Sequence, residues 1–454
     1  MNYLKISFIF LLTSFSFLGL ALANSGPAYW DGYPGSDIMV IDHDNPIIVE
    51  GEELIFDFSR DGTVNGRVTA TYQMFNPTDV EQSVQMVFPF VEDLLEFSSN
   101  NILVTSDQKN VAYEVFVGDT VYPGDQKNQY EFEKILNGIT NIEYEGKHFS
   151  SDDIGTLYSI NMKMEPDQSI IFRVFFQYNM EKSKVLVNGF NGYGYSDQTM
   201  EVSAWSSGEA LELFVLGDDV DFTIHAYMDE DRKGETEFKD YIVLSEDLTI
   251  EDYLLSLIEK RVDHFDDNIS ETQLYNFYGK SLDETFTEMS GFSSEQELLS
   301  RAYEDRILSL VYTVDFPPNS RQEVSVSYGT NGTMDMTKTP TPLYTFDYIV
   351  NPAKNWHDFK DFELTIVTPD EAPFIVSSSI DLMKKDHHVY QVSLDQLPEE
   401  DLSFTLYVEE DVTFLDKGSE KRGNQFMVYA ATFALILMIF ALRRILYPLR
   451  KRIS

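Results

Sequence analysis

Acidic side chains dominate the chemistry this sequence offers: 76 aspartates and glutamates stand against 33 lysines and arginines in 454 residues, a formal net charge of −43. The segment Asp229-Glu230-Asp231-Arg232-Lys233-Gly234 opens like a calcium loop, in which alternate carboxylates and a turn-forming glycine wrap a hard cation in oxygen ligands. Lys233 takes the fifth place, where a ligand is needed, and Asp240 stands where the loop requires a bidentate glutamate. Asp229, Asp231 and Asp240 are therefore the metal candidates and calcium the candidate ion. The same segment lies between two strand signals, where a polar hairpin turn is wanted, and the plain turn is the preferred reading.

Other clusters are less specific. Asp57-x-Ser59-x-Asp61-Gly62, Asp42-His43-Asp44-Asn45 and Asp218-Asp219-x-Asp221 are acidic loops without a ligand spacing. Asp386-His387-His388 holds two metal-binding side chains, but neighbours on a strand point to opposite faces, so a turn is expected there. The sequence has no Gly-x-Ser-x-Gly elbow, no His-Glu-x-x-His pair, no phosphate-cradling glycine loop and no cysteine. Carboxylate pairs such as Asp252 with Glu259, or Glu363 with Asp370, are the remaining catalytic option. Glycoside chemistry needs two carboxyls at a set separation, which spacing along the chain does not provide. No catalytic residue is assigned.

Charge and composition narrow the partners. A field this negative repels nucleic acid and anionic lipid, and attracts divalent cations and basic surfaces. Hydrophobic residues at 43% and aromatics at 14% are too many for a disordered chain. Absence of cysteine rules out disulfides and thiolate metal sites, and a chain this long builds cores that do not need them.

The two ends give the address. Lys5 precedes an apolar run over 6–20, and Ala21-Leu22-Ala23 has the small-x-small pattern of a signal-peptidase site, so cleavage is expected before Asn24. The alternative is an uncleaved anchor, since 6–23 is just long enough to span. Residues 426–442 carry no charge and cover roughly 25 Å as a helix, enough to span with snorkelling by Arg443 and Arg444. Arg450, Lys451 and Arg452 follow with no acid to the end, the positive-inside signature of a cytoplasmic tail. Every acidic residue lies between these two ends.

Elements between them read mainly as β. Val68, Ala70, Tyr72 and Met74 alternate with polar residues, Asn76-Pro77-Thr78-Asp79 makes a turn, and Val84, Met86, Phe88 and Phe90 form a returning strand ended near Pro89. Strand signals recur at 102–105, 111–117, 170–178, 200–205, 211–216, 222–227 and 241–244, with one short helix at 130–136. Helical texture fills 249–309, where Thr249 with Asp252, Ser270 with Gln273 and Ser294 with Glu297 have capping-box spacing. Leu254, Leu255, Ile258 and Val262 share one helical face, as do Leu298, Leu299, Ala302 and Tyr303. Strands resume at 310–314, 323–328, 344–350, 362–367, 390–394 and 402–408. The aromatic opening at 26–35 reads as a turn-rich lid on the first domain.

The expected architecture is tandem antiparallel β-sandwich domains with a small helical insert and one C-terminal transmembrane helix. Its parts are a signal peptide (1–23), an N-terminal β-sandwich region (24–248), a helical insert (249–309) and a C-terminal β-sandwich domain (310–415). A stalk (416–425), the transmembrane helix (426–442) and a basic tail (443–454) complete it.

Two resemblances bear on this reading. Arg67 through Phe90, with Phe75-Asn76-Pro77-Thr78-Asp79 and then Val84-x-Met86-x-Phe88-Pro89-Phe90, resembles the start of the vault/inter-alpha-trypsin (VIT) type β-sandwich. Such domains often accompany a von Willebrand A domain, whose metal site needs Asp-x-Ser-x-Ser after an apolar strand. Asp401-x-Ser403-x-Thr405 lies within a strand and does not meet that requirement. The signal, Ser25-Gly26-Pro27-Ala28-Tyr29-Trp30, Asn351-Pro352-Ala353-Lys354-Asn355-Trp356 and the terminal helix together resemble uncharacterised membrane-anchored extracytoplasmic proteins of low-GC Gram-positive bacteria. That resemblance implies a topology and no activity.

The functional expectation is a single-pass cell-membrane protein with its acidic body outside and its tail in the cytoplasm. It binds an envelope component or a membrane-protein partner without catalysis. The alternatives are an extracytoplasmic hydrolase with paired carboxylates and an accessory subunit of a membrane complex.

Overall fold

A computed structural model describes residues 24–31, 38–60, 64–121, 131–163, 169–196, 199–206, 209–228, 237–261, 265–266, 268–337 and 339–412. The expected signal, stalk, transmembrane helix and tail lie outside these residues, as do Asp229 and Asp231. Among the described residues no helix is long and apolar enough to cross a membrane.

The described chain is mainly β, in several sheets. Its first part runs β1 (Gly26–Asp31), β2 (Ile38–Ile41), β3 (Ile48–Asp57), β4 (Gly66–Phe75), β5 (Gln82–Glu92), β6 (Leu103–Ser106), β7 (Lys109–Asn110), β8 (Tyr113–Thr120) and helix α1 (Phe132–Asn137). The middle holds β9 (Ile154–Met162), β10 (Ile170–Phe176), β11 (Ser183–Asn188), β12 (Gly192–Ser196), β13 (Thr199–Ser206), β14 (Leu211–Gly217), β15 (Phe222–Met228) and β16 (Tyr241–Thr249). Helices α2 (Ile250–Arg261) and α3 (Glu271–Glu288), strand β17 (Phe292–Ser294) and helix α4 (Glu295–Ser300) follow. The last part is β18 (Arg306–Phe316), β19 (Arg321–Thr330), β20 (Thr333–Asp335), β21 (Leu343–Tyr348), β22 (Asp358–Val367), β23 (Phe374–Ser378), β24 (Met383–Asp386), β25 (Val389–Leu394) and β26 (Leu402–Tyr407).

Alternation sets β4 as expected: Val68, Ala70, Tyr72 and Met74 are fully buried. The turn after it does not make a hairpin. β4 lies in an eight-stranded sheet ordered β24-β25-β22-β3-β4-β19-β6-β7, whereas β5 lies in a five-stranded sheet ordered β2-β1-β5-β18-β8. The 76–79 turn therefore carries the chain from one sheet to the other, and 317–320 does the same between β18 and β19. Strand β5 also runs through Pro89 to Glu92 rather than ending there. β1 pairs with it only over Gln85 to Val87, so a missing N–H at Pro89 interrupts no ladder on that edge.

This crossing makes the ends of the chain partners. β18 pairs with β5 along its whole length, β19 pairs with β4, and β22 runs parallel beside β3. The strands expected in separate regions at 24–248 and 310–415 thus share two sheets, and a cut at those points would separate hydrogen-bonded neighbours. Asn76 locks the two crossings. Fully buried, it donates from Nδ2 to the carbonyls of Val80 and Phe316 at 2.9 Å and of Pro317 at 3.1 Å.

Three further sheets make up the rest of the described strands. β20-β21-β26-β23 brings Phe346 and Phe404 onto the eight-stranded sheet, with ring centroids 4.5 Å from Phe58 and 5.0 Å from Phe56 respectively. In the middle of the chain lies β16-β9-β14-β11-β17, in which β11 and β14 send alternate side chains to two different cores. Val185, Val187, Leu213 and Val215 join a core with Phe172, Val174 and Val202 of the sheet β12-β13-β10-β15. Leu186 and Phe214 point the other way, where Phe214 stacks on Tyr253 of α2 at 4.3 Å.

Helices fill most of the stretch expected at 249–309, which also holds β17 and the start of β18, and each expected cap is made. Thr249 Oγ1 accepts from the Asp252 N–H, Ser270 from Gln273 and Ser294 from Glu297. Leu298 and Ala302 are buried, but Tyr303 is 65% exposed, because the helix gives way to a 3₁₀ turn at Arg301–Tyr303 that rotates it outward. The aromatic opening is not a turn-rich lid through Asp31: Gly26–Asp31 is strand β1, hydrogen-bonded between β2 and β5.

Candidate ligand cleft

Helix α3 carries an uncommon set of polar residues for a buried helix. Gln273, Asn276, Lys280 and Asp283 recur at three- and four-residue spacing, so they lie along one face. That face meets residues 138–149, a segment with almost no regular structure whose backbone groups need partners from elsewhere. Gln273, capped by Ser270 through its backbone, does not reach back to complete a capping box. Its amide bridges instead, donating to the Thr140 carbonyl at 2.7 Å and accepting from the Val117 N–H at 3.1 Å. Asn276 accepts from the Tyr144 N–H at 2.7 Å and donates to the Ile142 carbonyl at 2.8 Å. Asp283 accepts from the Lys147 and His148 N–H groups and from the Tyr144 hydroxyl. Burial, then the Asp283 charge, pushes that hydroxyl up to about 12.

Strap, helix and the strands β8 and β18 enclose a cleft of about 860 Å³. Its walls are mixed: Ile135, Ile139 and Phe277 are apolar, while Lys280, Glu284 and Glu143 bring charge. Lys280 crosses one side to pair with Asp119. Arg306, the first residue of β18, lies at the base, 3% exposed, with its guanidinium 4.0 Å over the Phe277 ring. It donates to the Arg301 carbonyl at 2.8 Å, and its Nε has no acceptor among the described residues. Burial draws its pKa down to about 10. The volume and mixed lining are those of a small-molecule or side-chain binding site.

None of the expected site residues falls here. Asp240 sits just before β16, its carbonyl accepting from the Lys163 N–H, and among the described residues no group of three potential ligands could hold a metal ion. Asp57 and Asp219 accept from nearby backbone N–H groups in local turns, and Asp219 also takes the Tyr158 hydroxyl at 2.7 Å. His387 and His388 form the β24–β25 turn, as expected, but their rings do not diverge. The centroids lie 4.4 Å apart because the residues are in a turn, and His388 contacts Asp370. Asp252 and Glu259 are two helical turns apart, about 10 Å along the axis of α2, beyond the usual range for a carboxyl pair. Glu363 and Asp370 are further apart still, since β22 runs extended from one almost to the other.

A second polar cluster lies deeper, where three sheets meet. Glu52 of β3 is buried and accepts from the Tyr348 hydroxyl at 2.8 Å, while the Asn24 amide approaches it at 3.5 Å. The Tyr72 hydroxyl donates to Asn24 Oδ1, Ser25 Oγ meets the Tyr312 hydroxyl at 2.8 Å, and Trp356 Nε1 donates to the Ser25 carbonyl. Desolvation raises the Glu52 pKa to about 7 against the weaker pull of those hydrogen bonds.

No protein-family model matches the chain, and no curated protein matches it. Among solved structures, one that it resembles is described as a "putative nutrient binding protein" from Legionella pneumophila, at 10% identity, covering 86% of this chain and 72% of that one with a TM-score of 0.29. Another is the GH78 family rhamnosidase of Bacillus sp. GL1, at 10% identity, 86% and 52% coverage and a TM-score of 0.14. Neither likeness is close enough to carry an argument about fold or function.

Proposed function

We propose that this chain is a membrane-tethered extracytoplasmic binding protein that holds an envelope component or a membrane-protein partner without transforming it. The cleft under the 138–149 strap carries this reading: α3 spends its polar face fixing the strap in place, which keeps a mixed-lined cavity open. The sequence supports the address, through the export signal at 1–23, the apolar segment 426–442 and the basic tail after it. The body is read as β-sandwiches side by side on the eight-stranded sheet, built from 24–121 with 306–412, and a further sandwich from 154–249 followed by the helices. Calcium is not required by this reading.

Capture of the intact protein from membranes tests it. Wild-type protein is expected to retain a partner or polymer that a Lys280→Glu, Glu284→Lys double variant of equal folding loses. Equal retention by both removes the cleft from the function.

One observation favours an accessory-subunit reading beside it. Among the described residues β16 is an edge strand of its sheet, yet Ile242, Val243 and Leu244 are 60%, 41% and 55% exposed. An apolar edge strand of this kind accepts another chain readily.

A further inference from the structure

The junction of the three sheets contains a carboxylate without a cation. Among the described residues Glu52 accepts hydrogen bonds only from a tyrosine and an asparagine, and no basic side chain contributes to its electrostatics. Around it stand Tyr72, Tyr312 and Tyr348, all neutral and all held above their ordinary pKa by burial. A buried carboxylate surrounded only by neutral groups is costly, and proteins ordinarily supply it with a cation. The residue that reaches Glu52 from the other side is Asn24, itself fully buried. It is also the residue that signal-peptidase cleavage would make the first of the mature chain.

We infer that cleavage between Ala23 and Asn24 creates the missing cation: the new α-ammonium of Asn24 becomes the buried counter-ion of Glu52. The inference rests on the export signal read from residues 1–23. In the cleavage, water breaks the Ala23–Asn24 amide, its hydroxyl going to the Ala23 carbonyl carbon and its hydrogen to the Asn24 nitrogen. The acid formed on Ala23 gives up its proton, and the amine of Asn24 takes one. A neutral amide with a single N–H is thereby replaced by a cation with three donors. It sits on the residue whose side chain already touches the Glu52 carboxylate. Tyr72 and Tyr348 hold the two side chains through Asn24 Oδ1 and Glu52 Oε1, so both residues are in place before the charge arrives. Processing then does more than release the chain: it completes the place where the first strand, the eight-stranded sheet and the sheet carrying β21 join.

The test uses the full mature chain in detergent, in two forms: one beginning at Asn24, the other retaining Ala21-Leu22-Ala23. Each is made with Glu52 and with Glu52→Gln. With Glu52, retaining the three residues is expected to lower Tm by at least about 3 °C; with Glu52→Gln the same extension shifts it by less than about 1 °C. Equal shifts in the two backgrounds, or none, overturn the pairing. As a measurement that needs no variant, acylation of the α-amine at neutral pH is expected to be at least roughly 100-fold slower in folded than in urea-unfolded protein. Equal rates overturn it too. N-terminal sequencing of the exported protein separates this failure from failure of the export reading. An uncleaved Met1 sinks the signal-peptide reading, a start elsewhere sinks the pairing alone, and a start at Asn24 supports both.

Discussion

Trp356 Nε1 donates to the main-chain carbonyl of Ser25 across 3.2 Å, joining residues 331 positions apart. The bond connects two segments singled out in the sequence, 25–30 and 351–356. They touch elsewhere as well. A Cβ on Gly26 would come within 2.7 Å of the Pro352 carbonyl oxygen, so glycine there answers a close backbone approach. The two segments form one structural unit, the closure of β1 against the end of the β21 region.

Trp356→Phe keeps most of the buried ring and removes the donor. The Ser25 carbonyl is then buried without a partner, at a cost of about 1–2 kcal/mol. A urea midpoint lowered by the corresponding amount with an unchanged m-value is the expected result. A midpoint equal to wild type would show that solvent already satisfies that carbonyl.

Asn76→Ala strikes the lock between the sheet crossings. Three carbonyls lose their shared donor, and Thr78 loses its acceptor, Asn76 Oδ1. The loss is expected to reach about 3 kcal/mol or more, well above an ordinary surface change. Asn76→Asp has the same shape and cannot donate, so it should be destabilised similarly when ionised. A mild phenotype in both, measured by denaturant unfolding, would mean the crossings hold without the stitch.

Stability should fall as pH rises through neutrality. Burial and the neighbouring charges of Asp93, Glu96 and Asp305 raise the Glu92 pKa to about 8 from its ordinary 4.5. The folded protein therefore keeps a proton that the unfolded chain releases, and this contribution is complete below about pH 4.5 and gone by about pH 8. Desolvation raises Glu52 as well wherever it lacks a cation, so the readout is the difference between wild type and Glu92→Gln. The variant should have the flatter profile and the higher stability at alkaline pH. Parallel profiles would remove Glu92 as the source.

Asn276→Ala should loosen the strap before it unfolds the body. Ile142 and Tyr144 lose their backbone partners, so amide exchange over 138–149 is expected to accelerate at least about tenfold while core strands such as β4 keep their protection. Acceleration spread evenly over the whole chain would instead indicate global destabilisation.

Calcium should leave the protein unchanged. The melting temperature in excess calcium and in chelator is expected to agree within about 1 °C, since any ion bound only to the folded state would raise it. A clear rise, abolished by Asp240→Asn, would restore the loop after β15 as a site.

Much of the fold was legible where a strand alternates cleanly, as in β4, and where a helix begins on a serine or threonine cap. Strand β3 escaped notice although it is central to the largest sheet. Glu50, Glu52 and Glu53 break its apolar pattern, and a bulge between Val49 and Gly51 shifts the phase of the face. The hairpin expected after Met74 failed for a different reason. The Asn-Pro turn is the same whether the next strand returns to its own sheet or crosses to another, and only the distant partner 317–320 decides. The cleft had one trace in the sequence, the polar face of α3, which the capping spacing of Ser270 and Gln273 disguised as an ordinary helix start. Arg306 had none, since its burial depends on Phe277 and on a strap folded over from 138–149.

The interleaving of β4 with β19 governs the order in which the chain can be made. The 240 residues between Asn76 and Phe316 take about 12–48 s to synthesise at roughly 5–20 residues per second. For that interval β4 has β3 but not β19, and β5 has β1 but not β18, so each strand keeps one open edge. A nascent chain of this kind needs a holding factor, or a pace of emergence that outruns its own aggregation.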